Sequence, residues 1–321
     1  MKGFDAEFRD LDHYIRVITD RIWEGRQFED IRRYYGADCA VETPSNVSIG
    51  IDPVIEGTRA TLVAFPDRRL LAEDVIASGN EDTGFLSSHR IFSPMTHAGP
   101  GLFGPPSGRP VCVRTVADCV CIDNRIVHEW LVRDQAAIAR AIGRHERDLA
   151  QDWLNGCGGW SKPAMPAAPR AYVSHVDKHP LAVAYADGLR EALVSGSFDA
   201  LRGSHAPDAI AALPAGQAAV GLPAVQSFWR GLHDALPRAD FAIEHLALNE
   251  RPGRATALAL RWRAQARHLG GGRYGEATGR SVELLGITHA EIEGGRVVRE
   301  WHLIDDVAVW MQVLEPTTVR N

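Results

Sequence analysis

Residues 97–134 read HAGPGLFGPPSGRPVCVRTVADCVCIDNRIVHEWLVRD, and residues 268–305 read HLGGGRYGEATGRSVELLGITHAEIEGGRVVREWHLID. The second stretch lies on the first at an offset of 171, without a gap. Twelve of the thirty-eight positions are identical. His97, Gly99, Gly101, Gly104, Gly108, Arg109, Val111, Arg125, Val127, Glu129, Trp130 and Asp134 meet His268, Gly270, Gly272, Gly275, Gly279, Arg280, Val282, Arg296, Val298, Glu300, Trp301 and Asp305. Phe103 meets Tyr274, and Ser107 meets Thr278. The identities fall on glycine, tryptophan, arginine and aspartate, which do backbone or polar work, so drift does not explain them. A repeat this long means two copies of one domain.

The bulk numbers agree. A chain of 321 residues accommodates about two domains, and each half is large enough to bury its own core. A net charge of −6 and a pI near 6.1 leave no basic footprint for nucleic acid. The N-terminal run MKGFDAEFRDLDHY carries acids where a signal peptide needs an apolar stretch. No window approaches the ~18 uninterrupted apolar residues of a membrane span. The expectation is a cytoplasmic protein without nucleic-acid or membrane partners. Cys39, Cys112, Cys119, Cys121 and Cys157 all lie in the first half. Cys119 and Cys121 alternate on a predicted strand, which is not a zinc spacing. They read as small buried hydrophobes, with no metal.

Around the repeated stretch the halves keep one order. Leu11, Tyr14, Ile15, Ile18 and Ile22 fall on one helical face within residues 4–23, and Gly25 stops that helix. A short helix at 28–35 follows. In the second half residues 181–194 are helical, Gly196 stops them, and residues 198–201 mirror 28–31. The middles differ. The first copy has an insertion from Glu42 to Glu56, broken by Pro44, Gly50 and Pro53, then a helical piece at 58–65. The second goes from Gly221-Leu222-Pro223 into a fuller helix ending at Leu236. Strands are predicted at 71–77, 85–92, 111–122 and 126–133, and at 241–248, 255–266, 281–292 and 297–304. Asp123-Asn124 and Gly294-Gly295 turn the last hairpins. Helices first, then an antiparallel meander, then a closing helix, argue an α+β fold with helices on one face of a curved sheet. The boundaries are 1–154 for the first domain, 155–170 for a Gly/Pro-rich linker and 171–321 for the second.

Thr96-His97-Ala98-Gly99, then Phe103-Gly104-Pro105-Pro106-Ser107-Gly108-Arg109, then Glu129-Trp130 with Asp134 four residues on, resembles the SnoaL-like polyketide cyclase family. The second copy keeps His268, Gly275, Thr278-Gly279-Arg280, Glu300-Trp301 and Asp305, and departs at Glu276-Ala277, where the family favours Pro. The likeness covers nearly all of both halves. It implies two tandem cone-shaped domains of the nuclear transport factor 2-like kind. It also implies a cofactor-free acid/base enzyme, in which a carboxylate near the end of the last strand serves an intramolecular aldol ring closure. That role falls on Asp134 and Asp305. Such folds also host isomerases, epoxide hydrolases, dehydratases and plain binders, so the reaction is not fixed by the fold.

The residues themselves leave alternatives open. Asp134 and Asp305 each precede a helical run, where Asp is also a favoured N-cap. Trp130 and Trp301 share their strand parity and are expected beside them, either lining a ligand or packing the core. His128 has that parity too, but its counterpart is Arg299. Two-residue turns put Ala117 with Cys119, and Thr288 with Ala290, on the Asp face. A three-residue bulged turn instead brings in Asp118, and His289 with Glu291. His97 and His268 lie in the Gly-rich loop, as catalytic or loop-holding groups. His89 faces Leu260 in the other copy and so belongs to no shared mechanism. No zinc-hydrolase, serine-hydrolase or phosphate-loop pattern is present. Two readings follow. One is an enzyme acting on a small apolar or aromatic carbonyl compound. The other is a non-catalytic ligand-binding or assembly module. Either way the duplication suggests an internal pseudo-dimer, with further homo-oligomerisation open.

Overall fold

The computed structural model describes residues 1–315. Its first copy begins with α1 (Leu11–Thr19), which Asp10 caps by accepting from the His13 amide at 2.8 Å. A π-helical turn, Asp20–Glu24, extends it to Gly25. Then come α2 (Ile31–Tyr34), β1 (Tyr35–Glu42), β2 (Val47–Ile49), α3 (Ile51–Ala64), β3 (Leu71–Asn80), β4 (Gly84–Thr96), β5 (Pro110–Ile122), β6 (Arg125–Arg133) and α4 (Gln135–Ala141). α5 (Glu146–Cys157) leads to the second copy: α6 (Pro180–Ser195), α7 (Asp199–Ser204), β7 (His205–Leu213), β8 (Gln217–Val220), α8 (Leu222–Ala235), β9 (Asp240–Asn249), β10 (Thr256–Arg267), β11 (Ser281–Glu293), β12 (Arg296–Leu303) and α9 (Asp306–Leu314).

Each copy builds one six-stranded sheet, ordered β2-β1-β6-β5-β4-β3 and β8-β7-β12-β11-β10-β9. The fold is therefore the expected α+β pair of tandem domains. Two details differ from the sequence reading. α3 begins at Ile51, not 58, because Pro53 sits in its first turn, where a missing N–H costs nothing. The short apolar run after α2 is β1, which pairs in parallel with β6. By contacts the chain forms two compact units. One comprises Met1–Ile142 and Lys162–His175, the other Gly143–Ser161 and the chain from Val176 onward. α5 thus belongs with α9, and the Arg147 guanidinium lies over Trp310 at 5.6 Å.

Both hairpins keep a two-residue turn, yet each carries a bulge inside the last strand, at Val127 and Val298, which gives the register expected of a three-residue bulged turn. Ile122 pairs with Arg125, but the register shifts by one residue beyond Cys121, so that Asp118 opposes Trp130. The shift recurs in β11–β12, where His289 opposes Trp301. Alternation then assigns each strand's faces. In the first unit Glu129, Cys119 and Ser87 form one row, and Leu131, Ala117, His89 and Val75 the next. This is the helix-covered face. Cys119, Cys121, Ala117 and Val75 pack there against Phe8, Tyr14, Ile15 and Ile18. In the second unit the same face carries Glu300, His302, Thr288 and Trp262, covered by α6 and α8.

Candidate active site in the first unit

The repeated carboxylates divide into helix caps and strand residues. Asp134 caps α4, its Oδ1 accepting from the Ala137 amide at 2.9 Å. Asp305 caps α9, accepting from Val307 and Ala308 at 3.0 and 3.3 Å. Both are buried. Trp130, with the His128 ring 4.4 Å away, lies on the face opposite the helix-covered one, together with Asp118. Asp118 accepts from Ser88 Oγ at 2.5 Å. Trp301, His289 and Glu291 share that face in the second unit. Glu291 pairs with Arg299 at 2.6 Å beside a polar groove of about 660 Å³ at the sheet end. His97 and His268 pin their loops: Nδ1 lies 3.1 Å from Ser107 Oγ and 3.0 Å from Thr278 Oγ1. Their backbone amides donate to the carbonyls of Arg109 and Arg280. Burial holds both imidazoles toward the neutral form.

The other shared carboxylate pair, Glu129 and Glu300, points into the helix-covered interior. Glu129 Oε2 accepts from Tyr35 Oη at 3.1 Å. Burial pushes its pKa up to about 7, only partly offset by that hydrogen bond. Glu300 Oε2 accepts from Tyr185 Oη at 2.8 Å and lies 3.1 Å from His205 Nε2. His302 Nε2 is also 3.1 Å away, within ion-pair reach but outside hydrogen-bond alignment. Burial raises the Glu300 pKa, yet His302 and His205 outweigh it, and the carboxyl is held well below the usual carboxylate range.

At the 171-residue offset the walls of the two interiors are exchanged. Trp229, Trp262, Phe228 and His302 pack together in the second unit. Their counterparts in the first are Thr58, Ile91, Gly57 and Leu131. Conversely, Leu258 and Leu260 of the second unit stand where the first has Ser87 and His89. His89 is 2% exposed and its Nε2 has no partner. Burial, with Arg16 and Arg90 nearby, lowers its pKa to about 3, so the ring is neutral. Ser87 Oγ has the Cys121 thiol beside it but no bond of ordinary geometry. Buried polar atoms are nearly always paired, so this is a wall with hydrogen-bonding capacity left over. Chemically it offers a carboxyl that exchanges a proton near neutral pH and a neutral imidazole about two strands, or ~10 Å, away. Sequence reading set Glu129 aside on parity and His89 for lacking a counterpart. The copy-to-copy differences were the signal that could have found them.

Among the described residues no group of three or more His, Cys, Asp or Glu is placed to hold a metal ion. No helix among them is long and apolar enough to cross a membrane.

The model of the SnoaL-like polyketide cyclase family matches residues 14–142 and again 184–313. No curated protein matches the chain. Solved structures similar to it include a SnoaL-like protein of Jannaschia sp. CCS1, at 18% identity and a TM-score of 0.37, over 44% of this chain and 99% of that one. IdmH of Streptomyces antibioticus is 20% identical, with a TM-score of 0.35, over 40% and 96%. A SnoaL-like polyketide cyclase of Agrobacterium tumefaciens is 19% identical, with a TM-score of 0.33, over 41% and 96%. At such identities the likeness is one of fold alone.

Proposed function

Given that the chain belongs to the SnoaL-like polyketide cyclase family, we propose that its first unit performs acid/base chemistry on a small apolar or aromatic carbonyl compound, with Glu129 moving the proton. The observation that carries this reading is the state of the Glu129 carboxyl. It is buried on the helix-covered face, hydrogen-bonded to Tyr35, and poised near pH 7. A base for a weak carbon acid works best with a pKa near the operating pH. Glu129 takes a proton from the carbon beside the carbonyl, the electron pair moves onto the carbonyl oxygen, and a donor must stabilise that oxygen. His89 is the donor in this reading, with its proton on Nε2. Glu129 then returns its proton to the carbon. In a ring closure the enolate carbon instead bonds to a second carbonyl carbon of the same molecule, the C=O electron pair moves onto that oxygen, and the oxygen takes the proton from Glu129.

The second unit is read as a non-catalytic partner. Its carboxylate is already engaged by a tyrosine and two histidines, and its interior is filled by Trp229 and Trp262. Asp134 and Asp305 hold helix N-termini in this reading. They also retain a rival claim to the proton, because they are the buried carboxylates that follow the repeated tryptophans.

Exchange of methyl protons for deuterium in para-acetylbenzoate, followed by NMR in D₂O, separates the claims. The full chain should accelerate exchange, Glu129→Gln should abolish it, and Asp134→Asn and Asp305→Asn should retain it in folded protein. Loss in the Asp variants with retention in Glu129→Gln would transfer the role to the caps. No acceleration by the wild type would refute the enzyme reading.

A further inference from the structure

α5 starts differently from α1, α4 and α9. Those helices are capped by Asp10, Asp134 and Asp305, whereas the N-cap of α5 is His145. His145 Nδ1 lies 3.1 Å from the Arg147 amide, the second of the helix. A backbone amide can only donate, so Nδ1 accepts, and the ring is neutral with its proton on Nε2. The next residue sets a competitor beside the same atom: Glu146 Oε2 stands 3.9 Å from Nδ1. One nitrogen therefore has a donor on one side and a carboxylate on the other. Its protonation state decides which of them it binds.

Acid reverses the choice. A proton on Nδ1 removes the acceptor and brings a positive charge to a helix N-terminus, where the macrodipole opposes it. The charged ring is instead attracted by Glu146. Aspartate caps keep accepting over the range in which imidazole titrates, because carboxylates ordinarily lose their proton near pH 4. Around His145, Arg144 pairs with Asp152, and Asp148 adds a negative charge to the first turn. From α9, the helix packed against α5, Trp310 lies under the Arg147 guanidinium. Asp305 is committed to the Val307 and Ala308 amides, and Asp306 to Arg273 and Tyr274. Arg273 also acts on Glu146 and tempers its pull on the ring. Glu315, past the far end of α9, accepts from the Trp160 amide beyond the other end of α5.

We propose that His145 is a pH-sensitive latch on α5. Neutral, it holds the first turn closed; protonated, it turns to Glu146 and lets that turn open. The chain passes from the first unit to the second between Ile142 and Gly143, so the latch stands where α5 enters the second unit and packs on α9. The cap is present above the imidazole range and is lost as pH falls through it. It operates independently of the proton chemistry at Glu129.

Hydrogen exchange of single amides in the full chain, followed by NMR at pH 8 and pH 5 and corrected for the intrinsic rate, reads the latch. Exchange at the Arg147 amide should quicken about fivefold at pH 5, the weight of one N-cap. The His13 and Ala137 amides, capped by Asp10 and Asp134, should keep their protection. His145→Asn supplies a neutral side-chain oxygen as cap and should stay slow at both pH values, whereas His145→Ala should be fast at both. The imidazole ¹⁵N shifts should show the Nε2–H tautomer at pH 8. Equal protection of Arg147 at the two pH values, a pH response that survives in His145→Asn, or an Nδ1–H tautomer at pH 8 would overturn the proposal.

Discussion

The two interiors share one ancestral layout and have moved to opposite electrostatic solutions. In the second, Glu300 is an anion held by Tyr185, His205 and His302, and two indoles fill the remaining space. In the first, the equivalent Glu129 keeps a single tyrosine partner and a pKa raised to about 7. Leu131 has replaced His302, and Tyr35 occupies the strand position of His205. The difference teaches that burial alone does not decide a carboxyl's charge. The number of donors around it does. A fully partnered anion is architecture, and a sparsely partnered one can exchange protons.

The largest effect should come from breaking the partnered side. Glu300→Gln leaves two buried imidazoles facing a neutral amide and should cost the second unit ~3–5 kcal/mol. Urea unfolding followed by tryptophan fluorescence reads this, and a loss below ~1 kcal/mol would mean that the cluster is not an ion pair.

Glu129→Gln should act in the opposite sense. The Glu129 pKa is raised in the fold, so its contribution is fully present below the ordinary value of 4.5 and is lost as pH rises through about 7. Wild type should therefore lose ~3 kcal/mol between pH 4.5 and pH 8 through this group. The glutamine variant should lack that slope and be the more stable protein at pH 8. Equal slopes in denaturant titrations at the two pH values would equate the two carboxyls.

Packing differs in the same direction. A Cβ on Gly286 would stand 2.2 Å from Trp262 Cε2, because the indole crosses directly over that glycine. Gly286→Ala should cost ~1–3 kcal/mol through overpacking. Its counterpart in the first unit is already Thr115, opposite the smaller Ile91. The reciprocal change Ile91→Trp should block ligand binding there without affecting the second unit. Titration calorimetry with para-acetylbenzoate checks that half of the comparison. The smallest effect belongs to the caps: Asp134→Ala and Asp305→Ala should each cost ~1 kcal/mol in thermal unfolding, since both copies use them alike.

Much of the fold was legible because it rests on local signals. The glycines of the repeated turn, the alternation of β4–β6 and the helical face of α1 each declare themselves within a few residues. The β1–β6 pairing did not, since a parallel partner almost ninety residues away leaves no pattern in an eight-residue strand. The hairpin register hung on a bulge at Val127 and Val298 that no side chain announces. The site suffered from a different gap. Parity set Glu129 on the face opposite Trp130, but parity cannot say which face the helices cover. Looking for chemistry common to both copies also hid His89, whose meaning lies in its absence from the second.

Infrared difference spectroscopy of the carboxyl band, wild type minus Glu129→Gln, titrated from pH 5 to pH 9, tests the asymmetry most directly. The account predicts a protonated carboxyl at the acid end that disappears with a midpoint near 7, and no such band in the corresponding Glu300→Gln difference. A Glu129 already ionised at pH 5, or a Glu300 protonated there, would contradict it.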